Sequence, residues 1–87
     1  MLFRSEASPQ NTLARALREF LLDIRPAQNM LVLKTPPGGA QPLAAAVDAE
    51  RWKEIVGTLA GDDTVLLITP TRGARAAVQK RVEELLR

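Results

Sequence analysis

Two adjacent carboxylates, Asp62 and Asp63, stand between Gly61 and Thr64 in a stretch of turn-forming residues. Side-by-side acceptors suit a guanidinium or an ammonium group, because charge-assisted hydrogen bonds to such a cation are short and strong. A solvated hairpin tip has the same composition, since Asp favours turns. A calcium loop is excluded, because it needs alternating oxygen ligands in a D-x-D-x-D-G pattern. A second polar pair, Gln41 and Asp48, falls seven residues apart, so a helix would carry both on one shared face about two turns long. Either residue also suits an ordinary solvated helix position. Just before them, Thr35-Pro36-Pro37-Gly38-Gly39-Ala40 has the glycines of a loop that presents backbone N–H groups to an anion at a helix start. It lacks the GK[ST] ending of a nucleotide-binding loop and reads more simply as a strand stop and a helix start. Arg72 and Arg75, in the first turns of a last helix, read as solvated. Trp52, with no second aromatic beside it, reads as a partly covered surface anchor or an interface residue rather than a platform for bases.

The residue types that are missing narrow the chemistry. The 87 residues contain no histidine, no cysteine and no tyrosine. The commonest general base, the thiolate nucleophile and the usual zinc ligands are all lost, so neither an enzyme nor a metal site is expected. Twelve Lys and Arg against ten Asp and Glu leave a formal charge of +2, with arginines spread from Arg4 to Arg87 among the acids. A nucleic-acid surface needs its cations gathered on one face. No apolar run approaches the roughly 18 residues of a membrane span, and residues 1–10 lack the apolar core of a secretory signal. The expectation is a soluble, cytoplasmic protein with no membrane contact.

One small domain must position these residues, because a chain of this length with 46% hydrophobic content builds a single core. Residues 1–10 show no periodicity and read as a flexible leader or linker remnant, leaving 11–87 as the domain. Asn11 or Thr12 is placed to cap a short helix with Leu13, Ala16, Leu17 and Phe20 on one stripe. From Phe20 to Arg25 the period drops to two, the pattern of a half-buried strand; residues 26–29 then turn into an apolar strand at 30–35. A helix with Pro42 in its first turn runs to about Glu50. Strands over 54–60 and 64–69 flank the turn at 61–63, and Thr71 caps a final helix. The predicted fold class is α+β: a two-layer ββαββα sandwich, with a four-stranded, mainly antiparallel sheet, two helices on one face and a short N-terminal helix.

Taken together, Leu31-Val32-Leu33-Lys34-Thr35-Pro36-Pro37-Gly38-Gly39-Ala40-Gln41 and Ile55-Val56-Gly57-Thr58-Leu59-Ala60-Gly61-Asp62-Asp63-Thr64 resemble the two signature stretches, LRTPPGAAQ and GTIAGDDT, of the C-terminal domain of bacterial arginine repressors. The second is the more specific, with Leu59 in place of isoleucine. The likeness extends upstream through Ala16-Leu17-Arg18-Glu19-Phe20 and covers about 13–69. It implies an L-arginine-sensing and oligomerisation domain of a repressor of arginine biosynthesis and catabolism genes. Such domains form trimers that stack in pairs, with L-arginine as corepressor between the trimers and no other cofactor. The implied ligand set is Gln41, Asp48, Thr58, Ala60, Asp62 and Asp63. Pro42 departs from the family pattern and removes one backbone donor beside that set. The winged helix-turn-helix of the family has no counterpart in residues 1–10, so operator DNA contact is expected only through a domain absent here. Two rivals share the layout. Pterin carbinolamine dehydratases depend on histidines that this chain lacks, and a purely structural oligomerisation module would leave Asp62 and Asp63 repelling each other without a cation.

Overall fold

The computed structural model describes residues 9–87, with side chains from Thr12 onward. The order is α1 (Pro9–Phe20), β1 (Asp23–Ala27), β2 (Met30–Lys34), α2 (Ala40–Glu50), β3 (Gly57–Ala60), β4 (Thr64–Ile68) and α3 (Arg72–Leu85). The strands form one antiparallel sheet in the order β1-β2-β4-β3, the α+β layout expected from the sequence. Most of the expected leader, residues 1–8, lies outside the described residues. Its last two positions, 9 and 10, belong to α1, where Pro9 occupies the first helical position and its missing N–H costs nothing.

All three helices lie on one face of the sheet and share one core. Leu31 and Leu33 of β2 and Val65 and Leu67 of β4 point inward at alternate positions, as a half-buried sheet requires. They meet Leu13 and Leu17 of α1, Leu43 and Val47 of α2, and Val78 and Val82 of α3, each almost wholly buried. Thr71 caps α3 as expected, its hydroxyl accepting from Ala74 N at 3.0 Å. At the start of α3, the Arg72 guanidinium donates to Gln28 Oε1, and Arg75 Nε donates to the Gln28 carbonyl at 3.1 Å. The two arginines thus clasp the β1–β2 turn, where Gln28 has a φ of +60°.

Two strands are shorter than their sequence patterns. The alternation over 20–25 does not start a strand at Phe20, because α1 keeps its hydrogen bonding through Leu21 N to Leu17 O (2.9 Å), and Phe20 packs on the core from the helix. Strand β1 runs instead over Asp23–Ala27 and includes Pro26, which an edge strand tolerates because no ladder bond is needed on its open side. On this strand Arg25 donates to Asp23 at 2.8 Å and holds the Asp23 carboxyl below its ordinary range, with help from the Ile24 N–H. The expected strand over 54–60 is paired only from Gly57. Residues 51–56 form the connection, pinned to α3 by Arg81, which lies over the Trp52 ring at 5.1 Å and reaches Glu54 at 3.4 Å.

Candidate functional site

Helix α2 runs beside edge strand β3, and the side chains between them form two rungs. Gln41 Nε2 donates to the Ala60 carbonyl at 3.1 Å. Seven residues on, Asp48 Oδ1 accepts from the Thr58 hydroxyl at 2.7 Å. Between the rungs lie Ala44 and Ala45, whose small side chains leave an open depression of about 240 Å³, also lined by Leu59. Ligand pockets usually measure roughly 300–1,000 Å³. One chain therefore offers a shelf, which a second surface must cover before a ligand is enclosed.

Asp62 and Asp63 sit at the β3–β4 tip, outside that lining, and are held against the loop that leads into α2. The Asp62 carbonyl accepts from Gly38 N (3.0 Å) and Ala40 N (3.2 Å), and its Oδ1 accepts from Gly38 N (3.0 Å). The Asp63 carbonyl accepts from Thr35 N at 2.9 Å, and its Oδ1 accepts from the Thr64 hydroxyl at 2.9 Å. These bonds answer the question of an anion site in the Pro-Pro-Gly-Gly loop. Its N–H groups at Gly38 and Ala40 face Asp62, while Gly39 N bonds Pro36 O. The loop grips an aspartate of its own chain.

The loop needs both glycines for different reasons. Gly38 has a φ of +84°, a region that L side chains enter only with strain. At Gly39 a β-carbon would lie 3.1 Å from the Phe20 ring, the Pro36 carbonyl and the Thr35 Cβ. Close approach there sets the first turn of α2 against the acidic tip, with Gln41 next in sequence.

Four of the six expected residues, Gln41, Asp48, Thr58 and Ala60, thus line one depression, while Asp62 and Asp63 stand beside it at the start of the same helix. All three carboxylates are on exposed residues. Among the described residues only Lys34 comes within ion-pair distance of any of them, 4.0 Å from Asp63 Oδ1. Among the described residues Asp48 and Asp62 thus have no cation within ion-pair distance, an arrangement that suits a cationic guest. Lys34 and Thr64 were not marked as site residues by the sequence. Thr64 reaches Asp63 as its neighbour in sequence, but the link from Lys34 depends on β2 pairing with β4, a contact between distant segments that spacing does not reveal.

A family model described as the arginine repressor C-terminal domain matches residues 17–84. This chain belongs to that family. It is 46% identical over 82 residues to the arginine repressor of Koribacter versatilis, covering 94% of this chain and 55% of that protein. It is also 49% identical over 81 residues to the arginine repressor of Solibacter usitatus (93% and 54%) and 43% identical over 79 residues to that of Bacillus licheniformis (91% and 53%). The chain therefore spans about half the length of these relatives, which are named as repressors rather than enzymes. Among the described residues no cluster of His, Cys, Asp and Glu could hold a metal ion, and no helix is long and apolar enough to cross a membrane.

Proposed function

We propose that this domain senses L-arginine and assembles into trimers and hexamers for a cytoplasmic repressor of arginine biosynthesis and catabolism genes. The observation that carries the reading is the acidic edge: three carboxylates with, among the described residues, one lysine within ion-pair distance, next to a shelf too shallow to enclose a ligand alone. Asp62 and Asp63 each keep a second carboxylate oxygen without a protein partner among the described residues, ready to accept from a planar five-donor fork. Gln41, Asp48, Thr58 and the Ala60 backbone supply polar groups for the amino and carboxylate end. A site divided in this way binds best where two copies meet. Arginine then links copies and acts as corepressor, and no further cofactor is needed.

Assembly has its own support in the sheet face turned away from the helices. The strand register sets Leu59 opposite Leu66 and Leu66 opposite Val32 in one row, with Ile68 and Met30 paired in the next. No helix of the described residues covers this face, and Leu59 is 62% exposed. Contact with operator DNA falls to another part of the repressor, since the described elements contain no winged helix-turn-helix.

Calorimetric titration with L-arginine tests the reading directly. The chain should bind arginine, bind citrulline much more weakly because the charge is gone, and discriminate against lysine because a point charge replaces the fork. Absence of binding would instead favour a structural oligomerisation module, and equal binding of citrulline would overturn the role of Asp62 and Asp63 as guanidinium partners.

A further inference from the structure

We infer that Lys34 is a positioning residue for ligand binding, acting through Thr64 on Asp63. Strands β2 and β4 set Lys34 and Thr64 directly opposite each other. The Lys34 ammonium donates to Thr64 Oγ1 at 2.6 Å, and Thr64 Oγ1 donates to Asp63 Oδ1 at 2.9 Å. The direction of both bonds follows from chemistry. An ammonium has three donors and no acceptor, and an ionised carboxylate only accepts. The hydroxyl, which can do either, therefore takes a proton contact from lysine and sends its single hydrogen to the aspartate.

Two consequences follow for Asp63. The cation polarises the hydroxyl, and linked hydrogen bonds strengthen one another, so Asp63 Oδ1 is held more firmly than by a free threonine. Fixing Oδ1 also fixes where Oδ2 points, and Oδ2 is the oxygen left for a ligand. Lys34 itself stops at 4.0 Å from Oδ1. It orients the carboxylate without occupying it, so the carboxylate stays available to a second cation. With the Lys34 side chain 35% exposed and that of Asp63 56% exposed, the direct Coulomb attraction is screened, and the hydroxyl relay carries the effect.

This inference rests on the reading of Asp63 as an arginine ligand, and the experiment separates the two. L-arginine affinity is measured by calorimetry for the parent chain and for Lys34→Met, Lys34→Arg, Thr64→Val and the Lys34→Met/Thr64→Val double variant, with light scattering to compare assembly size. Lys34→Met should bind arginine roughly three- to tenfold more weakly, Lys34→Arg should recover most of the loss, and the double variant should be no weaker than Thr64→Val alone, because a relay broken once is fully broken. A lysine that merely stabilises the sheet would give additive losses with no dependence on Thr64. Parental affinity in Lys34→Met, or additive losses in the double variant, overturns the relay while leaving the arginine reading intact. A parent chain that binds no arginine overturns both.

Discussion

The two aspartates of the β3–β4 tip have separable jobs, and substitutions can separate them. Asp62 Oδ1 accepts from Gly38 N, which also bonds the Asp62 carbonyl, so Asp62→Ala removes one half of a shared bond and should destabilise the domain by less than about 1 kcal/mol, whereas Asp62→Asn keeps an acceptor and should not. Both should weaken arginine binding, because both remove the charge. Asp63 makes its backbone bond to Thr35 through its carbonyl, which no side-chain change removes. Asp63→Asn should therefore leave the melting temperature near that of the parent and weaken arginine binding by about tenfold or more, about 1.4 kcal/mol or above in binding free energy. Thermal unfolding followed by circular dichroism, beside calorimetry on the same samples, checks both pairs. An Asp63→Asn chain with parental affinity would exclude that carboxylate as the guanidinium partner.

At the scale of elements, the chain was legible wherever signals were local. Thr71, Pro42 and the alternation of Leu31 and Leu33 marked their helices and strand from neighbouring residues alone. The misplaced strand starts at Phe20 and Glu54 have a shared cause: short apolar runs fit two periods, and packing decides between them. The site shows the same division. Gln41 and Asp48 share a face by spacing, Asp62 and Asp63 stand out as a carboxylate pair by residue type, and the proposed roles of Thr58 and Ala60 came from the likeness of motifs. The lysine–threonine relay was invisible because it needs the pairing of β2 with β4. The Pro-Pro-Gly-Gly loop joins these elements, and its two glycines should fail differently. Gly38 has open space around it, so Gly38→Ala costs only backbone strain, about 1–2 kcal/mol, and Gly38→Asn should recover part of it because Asn tolerates positive φ. At Gly39 the obstacle is contact with Phe20 and Pro36, so a β-carbon must displace these neighbours by a few tenths of an ångström, and Asn should bring no recovery over Ala there. Melting temperatures should rank the Gly38 variants Asn above Ala, with each kcal/mol worth about 4–8 °C in a domain of this size. Equal losses in the two Gly38 variants would show that strain is not the cause.

For the whole molecule, the bare sheet face and the shelf at its β3 edge make different predictions about assembly. In a lone chain the apolar rows would leave Leu59 exposed and Leu66 and Val32 only half-buried, and a chain of this size has no disulfide to stabilise it otherwise. Their burial against neighbouring copies should hold trimers together without ligand. On the proposed assembly, copies meeting at the polar, acidic shelf would repel until a cation joined them. On the proposed reading, arginine should therefore raise trimers to hexamers by mass action, since a ligand held between copies favours the assembled state. Val32→Lys, at the centre of the row, should return the chain to monomers while preserving the helix-side core, because Val32 points away from Leu31 and Leu33. Asp63→Asn should keep the trimer and lose the arginine-driven step. Light scattering across a concentration series, with and without arginine, reads both effects. Arginine-independent hexamers in the parent, or a Val32→Lys trimer, would show that the contacts between copies lie on other surfaces.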